Sequence, residues 1–193
     1  MPGASQSLRP GAAAVRGIVL NGLRRYCLEE HGEAGLERVL AAMSPSGRQI
    51  LSGLLISQTA LYPAALASEF AQAMVATLGE GDPQIMRVAG AFVAMRDLST
   101  FMRLMMKVGT PSFIASRLPK AWDTYFDAGR LELLARSSQH VVLSAHDAEP
   151  LGLVGTQAAI GWMAAAIECS GGAVRSAFQE RRGRVEHFEL HWS

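Results

Sequence analysis

Cysteine is scarce: Cys27 and Cys169 are the only two in 193 residues, too few for a disulfide framework. That points to a reducing, cytoplasmic setting. Charge is sparse and balanced, at 18% charged residues and a formal net charge of +1, which excludes a basic footprint of the kind that nucleic-acid binding needs. Long apolar runs are missing as well. The longest uncharged stretch, Gln49 to Ser68, is broken by Ser52, Gly53, Ser57, Gln58, Thr59 and Pro63, so no transmembrane segment is expected. Met1 to Ala14 has Pro2, Gly3, Pro10 and Gly11 among small residues, lacks the apolar centre of a signal peptide, and reads as a mobile tail. The remainder, residues 15–193, is expected to form a single α+β domain, since its length demands no second core.

Hydrophobic residues, by contrast, make up 49% of the chain. Val15, Ile18, Val19, Leu23, Tyr26 and Cys27 follow the i, i+3, i+4 spacing of a helix with one buried face, and Gly32 ends it. A shorter amphipathic piece with Leu36, Val39, Leu40 and Met43 follows. Ser44-Pro45, Asp82-Pro83 and Thr110-Pro111 each pair a capping oxygen with proline at the first helical position and mark three helix starts. The segment after Pro83 reads as the longest, running to Val108 before Gly109. Short helices then carry Phe113 and Ile114, and Trp122, Tyr125 and Phe126.

Beyond Gly129 the period falls to two. Leu131 and Leu133, then Val141, Leu143 and Ala145, alternate with polar neighbours around a turn at Ser137 to Gln139. A helix from about Leu151 to Cys169 ends at Gly171 and Gly172. A second hairpin, Val174 to Gln179 and Arg184 to Trp192, follows around Arg181, Arg182 and Gly183. The fold class is therefore α+β: an N-terminal helical half followed by β-β-α-β-β with a small antiparallel sheet.

Asp82-Pro83 to Val108, Gly109-Thr110-Pro111, Arg117-Leu118-Pro119-Lys120-Ala121-Trp122, Tyr125-Phe126 and Gly129-Arg130-Leu131-Glu132 together resemble a myxobacterial-type family of uncharacterised proteins. That family shares its fold with the 4-vinyl reductase domains, the haem nitric-oxide-binding domains and the trafficking subunits of the Golgi tethering complex. The closing Phe188-Glu189-Leu190-His191-Trp192 is similar to the last 4-vinyl reductase strand. The resemblance implies a domain, often dimeric, whose helices and sheet enclose an apolar cavity. Two departures narrow it. The cysteine pair of the metal-binding 4-vinyl reductase domains is replaced by Phe178 and Glu186, and no histidine lies between His31 and His140 to serve as the axial haem ligand. No cofactor is expected.

No catalytic constellation emerges. Ser144, His146 and Asp147 are close in sequence, which does not make side chains converge as a triad requires. Gly79-Glu80-Gly81-Asp82 lacks the lysine and the preceding strand of a phosphate loop. His187, Glu189 and His191 share one strand face and suit zinc, yet alternation alone also puts such trios on a solvated face opposite Phe188, Leu190 and Trp192. Both readings stay open on the sequence, and no fourth ligand is evident from another strand. Arg181, Arg182 and Arg184 read as a solvated hairpin tip, or as a contact for an acidic partner.

The expected function is a non-enzymatic sensor or carrier domain binding an apolar small molecule or an acyl chain in an internal cavity. Phe92, Phe101, Met105, Phe113, Trp122, Tyr125 and Trp162 are the expected lining. The alternative is a protein-protein adaptor with no small-molecule ligand, built on the methionine-rich segment after Pro83 and on the hairpin tip. A homodimer is expected in either case, because edge strands of a small sheet are often covered by self-association.

Overall fold

The computed structural model describes residues 13–53, 56–97, 109–127, 129–148 and 151–193. A three-residue strand β1 (Ala14–Arg16) leads into helix α1 (Gly17–Ala41), followed by α2 (Pro45–Leu51). Strand β2 (Leu61–Pro63) pairs antiparallel with β1 and enters α3 (Ala64–Thr77), and α4 (Gln84–Asp97) comes next. Two short helices, α5 (Pro111–Ala115) and α6 (Leu118–Tyr125), precede the hairpin β3 (Arg130–Arg136) and β4 (His140–His146). Helix α7 (Gly152–Cys169) then crosses to the hairpin β5 (Val174–Arg182) and β6 (Val185–Trp192). The four long strands form one antiparallel sheet in the order β3-β4-β6-β5.

Each expected helix start has its cap. The Ser44 hydroxyl accepts from the Gly47 amide, the Asp82 carboxylate from the Gln84 amide, and the Thr110 hydroxyl from the Phe113 amide. These bonds satisfy donors that the first turn leaves unpaired. Gly32 breaks the helical path as expected, at φ 69° and ψ −179°, but the helix resumes beyond it, so α1 continues to Ala41.

Three expectations change. The strand β5 runs on through Arg181 and Arg182, and the turn tightens to Gly183 and Arg184, with Arg182 paired to Val185. Arg181 is exposed but not unpaired: its guanidinium pairs with the buried Glu186 carboxylate, which also accepts from Gln179 Nε2 at 3.1 Å. Arg182 pairs with Glu180, and Arg184 reaches Asp147 at 3.5 Å. Ala14, expected in the mobile tail, is fully buried in β1; residues 1–12 lie outside the described residues, as do residues 98–108 beyond α4.

The sheet has two unlike faces. Leu131, Val141, Leu143, Ala145, Phe188, Leu190 and Trp192 are buried on the inner one, in a core shared with α7 and its Ile160, Met163, Ala166 and Ile167. The outer face carries His140, His187, Glu189 and His191, together with the exposed Phe178. No helix among the described residues is long and apolar enough to cross a membrane.

Burial also sets a pH limit. Cys27 is fully buried in α1, and its thiol is pushed up to about 12 by desolvation; Tyr26 beside it is raised for the same leading reason. Because the unfolded chain ionises first, this contribution to stability is intact below about pH 9 and declines as pH rises toward 12. Urea unfolding at about pH 8 and about pH 10 should show lower stability at the higher pH, with a smaller drop in Cys27→Ala. Equal drops in the two proteins would contradict the assignment.

Candidate functional site

Five helices and β1 surround a cavity of about 80 Å³. Val19 and Leu23 reach it from α1, Ala67 and Ala71 from α3, and Met86, Gly90 and Val93 from α4. Leu118, Ala121, Trp122 and Tyr125 line it from α6, and Gly155, Ala158, Ala159, Trp162 and Met163 from α7. Val15, Ser68, Phe126 and Leu151 complete it. The space exists because the facing rows of α3, α4 and α7 include small residues at helical spacing: Ala67 and Ala71, Gly90 between Met86 and Val93, and Gly155-Ala158/Ala159.

Two glycines, Gly90 of α4 and Gly161 of α7, let those helices meet closely. A Cβ added to Gly90 would stand 1.9 Å from the Ala158 carbonyl oxygen, and one added to Gly161 would stand 2.1 Å from that of Arg87. Backbone therefore meets backbone at two points along the crossing. The Arg87 guanidinium reinforces it by donating to Gln157 Oε1 at 2.5 Å and to the Ala177 carbonyl at 3.2 Å, which ties α4 to α7 and β5.

Three of the seven expected lining residues come together here. Trp122 is buried, with its ring 4.4 Å from that of Phe126, while Tyr125 meets the half-buried Trp162 edge-on at 5.4 Å. The Trp162 Nε1 is shielded from solvent and has no hydrogen-bond partner among the described residues. Phe92 is a correction: it is not among the residues that line the cavity, and its ring stands edge-on to Tyr26 at 5.4 Å, with the Arg96 guanidinium 5.3 Å from its ring centre. Phe113 is another, since it is exposed on α5 with Arg117 over its ring at 5.0 Å. Phe101 and Met105 lie outside the described residues. Sequence reasoning favoured large aromatics and so missed the Met86-Gly90-Val93 row, whose i, i+4, i+7 spacing was the available signal.

A separate polar cluster sits on the outer face of the sheet. Alternation does put His187, Glu189 and His191 on one side, but His187 stands opposite Ser144 and Glu180, away from the other two. The histidine that joins Glu189 and His191 is His140 of β4, in the place expected for His187. Hydrogen bonds from His191 first and His140 second hold the Glu189 carboxyl below its ordinary range.

Haem fits the cavity poorly. Among the described residues, no histidine, cysteine, lysine or arginine lines it, so nothing supplies an axial imidazole or thiolate or a cation for the propionates. The cavity offers about 80 Å³, far less than a macrocycle of four pyrrole rings occupies. Haemin added to the purified protein should give no Soret band of ligated haem. A sharp band that shifts with nitric oxide would contradict this.

No protein-family model matches the sequence, and no curated protein matches it as a relative. Similar solved structures exist. An Fe(II) unliganded H-NOX protein from K. algicida superposes with a TM-score of 0.71 at 8% identity, covering 92% of this chain and 96% of that one. An H-NOX protein from S. oneidensis in the Fe(II)NO ligation state gives 0.69 at 10% identity, covering 92% and 99%. An oxygen-binding H-NOX domain related to soluble guanylate cyclases gives 0.66 at 7% identity, covering 92% and 95%. These likenesses agree with the haem nitric-oxide-binding part of the sequence resemblance; at such identities they establish that the chain has an H-NOX-like α+β fold, and its function must come from its own residues.

Proposed function

We propose that the chain is a non-enzymatic sensor or carrier domain that takes a small apolar molecule, or the end of an acyl chain, into the cavity between α1, α3, α4, α6 and α7. The observation that carries this reading is a lining of aliphatic, methionine and aromatic side chains, with Ser68 its one hydroxyl apart from that of Tyr125 and no charged group among the described residues. The similar solved structures support it by analogy, since one is an oxygen-binding domain and another an NO-ligated protein. Here the ligand would be held by burial of its apolar surface, and its oxygen or carbonyl, if it has one, would satisfy Trp162 Nε1.

The test pairs two measurements on protein purified without detergent. Denaturing extraction followed by mass spectrometry should recover a lipid or aromatic compound, or titration with benzene, indole and a short fatty acid should change tryptophan emission saturably. Failure of both would overturn the proposal.

The adaptor reading retains one observation in its favour: Val88 and Met95, seven residues apart on α4, are 57% and 53% exposed. The homodimer is proposed on related grounds, because β3 and β5 are the open edges of the sheet. Sedimentation should give a dimer mass at micromolar concentration, and a monomer would contradict it.

A further inference from the structure

The outer face of the four-stranded sheet holds three metal-ligating side chains that the cavity does not use. β4 and β6 pair so that His140 stands directly opposite His191 and Val142 opposite Glu189. The two imidazoles stack, with centroids 4.3 Å apart and planes 21° from parallel. Both aim Nε2 at one oxygen: Glu189 Oε1 lies 3.0 Å from His140 Nε2 and 2.8 Å from His191 Nε2. The three candidate ligand atoms all lie within 4.8 Å of one another. Two bases and a carboxylate oxygen facing a common point, with protons as the present bridge, form an arrangement in which one cation can replace those protons.

The geometry points to a divalent transition-metal site formed by His140 Nε2, His191 Nε2 and Glu189 Oε1. Two imidazoles and a carboxylate suit Zn(II), Ni(II) or Cu(II), whereas Mg(II) and Ca(II) prefer all-oxygen shells. A tetrahedral zinc with bonds near 2.0–2.1 Å keeps its ligands roughly 3.3 Å apart, so Glu189 Oε1 must withdraw by a few tenths of an ångström from each nitrogen. All three side chains are partly exposed, which allows that movement and leaves a fourth position for water. The site lies on the side of the sheet away from α7, so it is independent of the cavity proposal.

The experiment uses protein without a histidine tag. Calorimetric titration with Zn(II) should show one saturable site at neutral pH, and Co(II) should give the visible bands of a low-coordinate nitrogen-oxygen site. His140→Ala, His191→Ala and Glu189→Gln should each weaken Zn(II) binding at least about tenfold, while His187→Ala, on the same face but outside the cluster, should leave it unchanged. Circular dichroism checks that each variant is folded, which surface positions should permit. No saturable binding to the parent, or binding that survives both His140→Ala and His191→Ala, or an equal loss in His187→Ala, would overturn the assignment.

Discussion

Gly161→Ala should destabilise the protein by about 2 to 3 kcal/mol, although glycine to alanine in a helix ordinarily stabilises by roughly 0.5 to 1 kcal/mol. The sign reverses because the new methyl has no room: its carbon would stand 2.1 Å from the Arg87 carbonyl oxygen and 2.8 Å from that residue's carbonyl carbon. Those are backbone atoms in α4, so no rotamer change relieves the clash, and the two helices must part. Gly90→Ala meets the Ala158 backbone in the same way, at 1.9 Å, and should cost as much. The double variant should cost less than the two single changes added together, because helices already separated by one methyl have room for the second. Urea unfolding of the three variants gives the measurement. Parent-like stability for Gly161→Ala would show that the crossing is looser than described.

The second large effect separates two tryptophans that share the cavity. Trp122 is 3% exposed, and its ring packs against Phe126, so Trp122→Ala should cost about 3 to 5 kcal/mol of stability. Trp162 is only half-buried, with its ring against Tyr125. Trp162→Ala should remain folded, lose less stability, and weaken binding of an apolar probe by about 1 to 3 kcal/mol through lost aromatic contact. Thermal melts and a benzene or indole titration separate the two quantities. A folded Trp162→Ala protein with unchanged probe affinity would remove that side chain from the site.

The helical half was legible wherever side-chain chemistry marks a boundary. Ser44, Asp82 and Thr110 form the capping bonds their sequence context implies, and Gly32 breaks α1 where its backbone must turn. α3 was not legible, because Pro63 stands at its N-cap with no side-chain bond and its first turn has no acidic residue. β1 and β2 span three residues each, too few for alternation to register. The hairpins were legible in outline, but the reach of β5 through Arg181 depends on Glu186, a buried carboxylate whose partner is set only by cross-strand register. The site follows the same division. Trp122, Tyr125 and Trp162 stood out by size, while Gly90, Gly155 and Ala159 shape the cavity by being small, and smallness gains meaning only once helices face each other. His140 and Glu189 are 49 residues apart and meet through strand pairing, which composition and local spacing do not encode.

If the space between α4, α6 and α7 admits an apolar molecule, methionine methyl groups report on it directly: Met86 and Met163 line the cavity, whereas Met43 is buried elsewhere in the core, beyond α1. Benzene titrated into protein carrying carbon-13 methionine methyls should shift the Met86 and Met163 resonances saturably and leave Met43 in place, and Ala159→Leu, which fills the cavity, should abolish the shifts. Methyl resonances that stay fixed, or that all move alike and continue to move after Ala159→Leu, would contradict the cavity's proposed role.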